Sequence, residues 1–314
     1  MFEINWNSLI LNFIFIFLFP LFFIGIINRV KSFWGGRKGP SVFQPFYDFI
    51  KLLKKSEVVS STSSFVFRIA PDMILASVLA ASMFVPVGTH KSIISFNGDF
   101  IVFAYLFAAA RFFGALGAMD VGSSFEGMGA SREVSFSTLA EPAFFIVIST
   151  IIFSTGNENF SGIFEMLKRT REGTVLVITL CAIALFIMII VEGCRVPVDD
   201  PNTHLELTMI HEVMILDNSG PGLAFITYAS GLKMILYGSI IANLIIPPNL
   251  APGFFTLSFI LILSGLAVLI GVIESVMARM RMPHIPQFTL VMISIGLLIL
   301  SITALGLYGG LTPK

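Results

Sequence analysis

The sequence predicts an all-α integral membrane protein: about eight transmembrane helices plus one amphipathic helix lying at the cytoplasmic membrane interface. Three observations carry that prediction. The 314 residues are 56% hydrophobic and only 12% charged, whereas soluble domains are about one quarter charged. Eight apolar runs are each long enough to cross a hydrocarbon core about 30 Å thick. Lysine and arginine are distributed unevenly between alternate connections, as membrane insertion requires.

The eight runs fall at about 9–27, 69–88, 99–119, 134–154, 173–193, 222–246, 253–275 and 286–308. The first does not resemble a cleaved signal, because Glu3 precedes it without any lysine or arginine and the run is long. No internal repeat and no long polar linker interrupts the series, so residues 1–314 are expected to form a single polytopic membrane domain. The connections after the first, third, fifth and seventh runs hold twelve lysines and arginines, against five for the others and the C-terminus. The odd connections are therefore expected in the cytoplasm, with both termini outside.

The first connection reads GRKGPSVFQPFYDFIKLLKKSEVV. After a Gly-Pro turn signal, Phe46, Ile50 and Leu53 recur at helical spacing among Asp48, Lys51, Lys54 and Lys55. That pattern is an amphipathic helix, suited to the lipid interface or to closing one side of a cytoplasmic chamber.

Function must lie in the few polar residues. The net charge is zero and no basic stripe points to nucleic acid. Cys181 and Cys194 are too far apart for a C-x-x-C motif. HLELTMIHE lacks the H-E-x-x-H spacing, and no phosphate-binding loop, dinucleotide fingerprint or nucleophile elbow is present. Neither a catalytic residue nor a metal site is expected in this chain.

Carboxylates are more informative. In MDVGSSFEGMGASREVSFSTLAEPAFF, the small residues allow close backbone approach or a tight irregular turn. Glu133 and Glu141 are eight residues apart, which on a helix is two turns and about 80°. Glu141 precedes Pro142 inside the fourth run. A charged carboxylate there costs about 2.5–3.5 kcal/mol on insertion scales, so it pairs, takes up a proton or faces water. Arg111 and Lys233 fall within other runs, and Glu192 and Glu274 lie near the ends of two more. Opposite charges at such depth pair with one another or line a polar path.

The stretch EGCRVPVDDPNTHLELTMIHE, within the fifth connection, resembles the signature of the membrane subunit at the junction of respiratory complex I. That family reads roughly E-x-x-R-x-P-F-D-L-x-E-x-E-x-E-L, and Glu192, Arg195, Pro197, Asp199, Glu206 and Leu207 match it. RKGPSVFQPFYDFIKLLKK, FRIAP and GASREVSFSTLAEP resemble further segments of the same family, so the likeness spans nearly the whole chain. Asn202 and His204 stand where the complex I pattern has two more glutamates, and the usual Glu-Tyr pair is replaced by Met214 and Ile215. VPVDDPNTHLEL and SSFEGMGASRE are closer to the homologous subunits of membrane-bound nickel–iron hydrogenases and formate hydrogenlyase-type complexes.

The resemblance implies a non-catalytic subunit of an oxidoreductase complex in the cytoplasmic membrane of a prokaryote, with no redox centre of its own. Iron–sulfur clusters and a nickel–iron centre would belong to hydrophilic partner subunits on the cytoplasmic side. Antiporter-like membrane subunits and lipid would be its other neighbours. Within that frame Asp199, Glu206 and Glu212 are expected to form an acidic relay organised by Arg195. Glu133, Glu141 and Glu192 would continue it into the membrane beside Arg111 and Lys233. Two alternatives are a quinone-site subunit of NADH:quinone oxidoreductase and a redox-independent secondary transporter.

Overall fold

A computed structural model describes residues 6–88, 91–167, 175–199, 209–247 and 250–308. Its described residues form helices and connecting turns without strands, and eight helices are long and apolar enough to cross a membrane. The elements are α1 (Trp6–Trp34), α2 (Gln44–Leu53), α3 (Phe65–Ser82), α4 (Asp99–Asp120), α5 (Ser124–Thr155) and α6 (Phe160–Leu167). They continue with α7 (Val175–Glu192), the single turn α8 (His211–Met214), α9 (Gly220–Ile245), α10 (Pro252–Val276) and α11 (Ile285–Tyr308). The chain is a multi-pass integral membrane protein.

Helix α9 occupies the centre. It is buried on nearly every side, as expected for a helix apolar all round. Around it pack α1, α3, α7 and α10, with α4, α5 and α11 completing the bundle. Phe103, Phe107, Phe144 and Tyr237 form an aromatic core in which the Phe107 and Tyr237 ring centroids are 5.2 Å apart. The Tyr237 ring meets the three phenylalanines edge-on, a favoured geometry for buried rings.

Two boundaries differ from the sequence expectation. Helix α3 starts at Phe65, where the Ser64 hydroxyl accepts from the Val66 N–H, an N-cap that hydropathy alone does not register. Helix α5 begins at Ser124, ten residues before its apolar run. Gly122 takes a positive φ of 75° in the turn before α5, whereas Gly129 serves close approach: a Cβ there would lie 2.8 Å from the Ile210 carbonyl oxygen. Burial of the Gly129 face, and not apolarity, carries those first three turns.

The four odd-numbered connections meet at one end of the bundle. Thr62 bonds the Val121 carbonyl, Ser219 and Val58 exchange two hydrogen bonds, and Asp199 pairs with Arg279. The antiparallel order of spans thereby delivers the charged loops to one face.

Candidate functional site

Four helices each bring one charged side chain to one point inside the bundle. Arg111 on α4 makes ion pairs with Glu192 at the end of α7 and with Glu141 on α5. Lys233 on α9 stands 3.9 Å from the second oxygen of Glu192 and 5.8 Å from the centre of the Phe107 ring. The ring face offers the ammonium a further attraction.

Each position has a local cause. Arg111 follows three alanines on α4, whose small side chains let neighbouring helices close around the guanidinium. A guanidinium presents several donors in a planar fork, so it can hold two carboxylates where a lysine presents one point charge. Glu192 is 3% exposed and ends α7 just before Gly193, whose missing side chain admits Met234 and the Ile189 carbonyl. Pro142 lies within α5, which continues through it as intramembrane helices do when neighbours satisfy the backbone. Glu133, two turns from Glu141 on α5, lies within electrostatic reach of Lys233, Glu192, Arg111 and Asp199.

The centre is asymmetric. Glu192 is enclosed, whereas the Glu141 side chain is 41% exposed. Glu141 opens on the outer face of α5 into a groove of about 490 Å³ with Val134, Ser137, Thr138, Pro142 and Phe145. One end of the ion-pair chain is therefore sealed by protein and the other is open at the bundle surface.

A second ionic centre organises the loop after α7. Asp199, buried, accepts from the backbone N–H groups of Ile210 and His211 at 3.1 and 2.9 Å and pairs with Arg279 at 2.7 Å. Arg195 stands 3.5 Å from Glu274 on α10, whose other oxygen is 2.8 Å from Lys31 on α1. Neither Glu274 oxygen makes a hydrogen bond of good geometry, so charge alone holds this fully enclosed carboxylate. The Pro197 carbonyl accepts from Met280, and Val196–Pro197 is cis. The loop is thus clasped at three points by the end of α10 and the chain that follows it. Arg132 on α5 reaches the Met209 carbonyl at 2.8 Å from the opposite side.

Of the residues expected from sequence, Arg111, Lys233, Glu141 and Glu192 converge, Glu133 stands nearby, and Asp199 closes the loop above them. Glu212 lies on α8. Arg195 faces α10. Glu206, like Asp200 and His204, falls outside the described residues. Sequence reasoning treated Glu274 as a border residue and did not single out Lys31, Arg279 or Tyr237. Their partners are far away in the chain, so no local spacing marks them. Glu126 was also missed. It is enclosed at the start of α5, accepts from the Asp217 N–H at 3.1 Å, and has a second oxygen without a partner.

Two groups outside the spans are shaped by burial. His211 lines a cavity of about 30 Å³ with Phe67, Pro71, Met214 and Asn218, room for about one water. Desolvation holds its imidazole below the usual histidine range. Desolvation also pushes the Cys194 thiol far above the ordinary range, with nearby Glu133 and Asp199 adding to it. Among the described residues no three His, Cys, Asp or Glu side chains gather where a metal ion could be held.

Comparison with known proteins agrees with the architecture. A family profile described as NADH dehydrogenase matches residues 7–304. The chain is 34% identical over 237 residues to hydrogenase-4 component C of Escherichia coli (strain K12), covering 74% of this chain and 73% of that protein. It is 30% identical over 274 residues to formate hydrogenlyase subunit 4 of the same organism, covering 84% and 88%. An NADH-quinone oxidoreductase subunit of Rickettsia prowazekii (strain Madrid E) is more distant, 25% identical over 240 residues, covering 74% and 69%. A chain of the membrane-bound sulfane sulfur reductase, an archaeal respiratory membrane complex, superposes with a TM-score of 0.82 at 17% identity, covering 94% of this chain and 98% of that one. That last likeness is one of fold. A profile match across nearly the whole described length, joined to the ion-paired bundle and the loop motif, establishes that the chain belongs to the NADH dehydrogenase family of membrane subunits.

Proposed function

We propose that this chain is the membrane-anchoring and energy-coupling subunit of a multisubunit redox-driven ion pump of the membrane-bound hydrogenase or formate hydrogenlyase type. Hydrophilic subunits carrying iron–sulfur clusters, with a nickel–iron centre in the terminal one, dock on the cytoplasmic face formed by the odd-numbered connections. Electron transfer there changes the charge or position of the loop carrying Asp199, Glu206 and Glu212. That change passes to Glu133, Glu192 and Glu141, held by Arg111 and Lys233, and then to antiporter-like membrane subunits. The chain itself moves no electrons. The similarity to the two Escherichia coli hydrogenase-related subunits favours this branch over a quinone-site subunit.

The observation that carries the reading is the chain of charges Glu141–Arg111–Glu192–Lys233, enclosed at one end and open at the other. A buried network of this kind responds to a change of charge as a unit, so its carboxylates titrate together. A half-exposed, ion-paired carboxylate on an outer helix face is costly against hydrocarbon. A neighbouring membrane subunit covering the groove on α5 removes that cost and receives the signal.

The test is Glu141→Gln and Glu206→Gln in the assembled complex. Each variant should retain the full set of subunits and electron transfer to its acceptor while losing ion translocation. Unchanged translocation in both removes the two carboxylates from the path. Purification of the chain without any redox subunit would sink the anchoring role as well.

A further inference from the structure

The first connection carries, on the outer side of α2, a surface separate from the chain of paired charges. Helix α2 is set rigidly on the bundle. Phe46 and Phe49 face inward, with the Phe49 ring 5.5 Å from that of Tyr228. Arg29 binds the carbonyls of Lys38, Gly39 and Pro40. Gly25 lets the chain at Val42 lie directly on α1, since a Cβ there would collide with the Val42 carbonyl.

Yet α2 keeps a second apolar stripe that faces away from the protein. Phe43, Tyr47 and Ile50 recur at three- and four-residue spacing and are exposed, each about half or more. Phe33 and Trp34, at the end of α1, continue that apolar surface and are exposed to a similar degree or more. Tryptophan, tyrosine and phenylalanine at the end of a membrane span are residues of the headgroup level. The turn before α2 and its polar edge then add Arg37, Lys38, Lys51, Lys54 and Lys55, all exposed. None of these five makes an ion pair among the described residues, whereas Lys31 in the same segment is taken by Glu274. Only Asp48 and Glu57 offset them within residues 35–57.

We infer that α2 and the end of α1 form a built-in binding surface for anionic phospholipid, with Phe43, Tyr47, Ile50 and Trp34 in the acyl boundary and the five cations on the headgroup phosphates. An apolar stripe of aromatics bordered by uncompensated cations is complementary to a negatively charged leaflet, and to a neutral one only in its apolar part. Because α2 is already held in place, headgroup binding costs little ordering. The surface also stands at the head of α9. The Lys55 and Ser56 carbonyls abut Gly220, and Val58 and Ser219 are joined by two hydrogen bonds. The lipid layer therefore sets the level at which α9, the helix bearing Lys233, enters the bundle.

The position of Trp34 provides a direct readout. The full-length chain carrying Trp6→Phe, which leaves Trp34 as the only tryptophan, is reconstituted in phosphatidylcholine vesicles containing brominated phosphatidylglycerol or, separately, brominated phosphatidylcholine at the same mole fraction. Brominated phosphatidylglycerol should quench Trp34 several-fold more strongly. Raising the salt, or substituting Lys51→Gln, Lys54→Gln and Lys55→Gln together, should reduce that preference by about fivefold or more, the worth of at least one surface lysine. These lysines are exposed and make no ion pair among the described residues, so the variant should fold. Equal quenching by the two lipids would overturn charge selectivity, and quenching by neither would show that protein or water covers this face. Every one of these outcomes is independent of whether the carboxylate chain couples redox chemistry to ion movement.

Discussion

Asp199 and Arg279, 80 residues apart, meet at 2.7 Å with the Asp199 side chain all but enclosed. The same carboxylate receives the first N–H groups of α8, so one side chain ties the end of the signature motif both to its own continuation and to the chain after α10. Breaking a buried pair by removing one partner costs about 3–5 kcal/mol, because the other charge is left uncompensated. Asp199→Asn and Arg279→Gln should each lower thermal stability in detergent. The double variant should cost much less than the sum. Strictly additive losses would show that the two residues act separately.

The glycines of α5 make opposite predictions within two residues. Gly129 meets the Ile210 carbonyl at 2.8 Å and the Met214 side chain at 2.9 Å from a built Cβ, whereas Gly127 meets nothing within 4 Å. Gly129→Ala should push α8 off α5 and destabilise by about 1–3 kcal/mol. Gly127→Ala should be neutral or stabilising by about 0.5–1 kcal/mol through helix propensity. Thermal melts of the two variants decide the matter, and equal effects would contradict the packing described for α5.

His211 makes the fold sensitive to acid. Its imidazole is desolvated and sits below the usual range, with Glu212 and Asp199 raising and Lys233 lowering it. A histidine depressed in the folded state stays neutral while the unfolded chain takes up a proton near its ordinary pKa of about 6.5. The stability is therefore complete above that value and falls as the pH drops below it, until the folded imidazole also protonates. His211→Gln should flatten the part of the stability profile between about pH 7 and pH 5 that comes from this group. A profile unchanged in shape would assign the acid sensitivity elsewhere.

Much of the architecture was legible because membrane solvation is a strong constraint. A hydrocarbon core admits helices of a narrow length range, so each span announced itself by apolarity alone. Where another force took over, the reading slipped. The first three turns of α5 are too polar to register as a span, and they are helical because the side carrying Gly129 lies against α8 and the residue before it. The start of α3 depends on the Ser64 cap, a single hydroxyl.

The sequence by itself determined the composition of the centre: an arginine, a lysine and two carboxylates, Glu141 and Glu192, within or at the end of the apolar runs, each costly enough there to require a partner. It also determined that a motif of acids, proline and arginine follows α7. Only the tertiary structure decided who pairs with whom. Arg111 holds Glu141 and Glu192, while Arg195 and Lys31 both turn to Glu274, and Asp199 turns to Arg279. The reason is physical: charge pairing in a low-dielectric interior depends on distances of a few ångströms between helices remote in the chain, and no spacing along one strand of sequence encodes them.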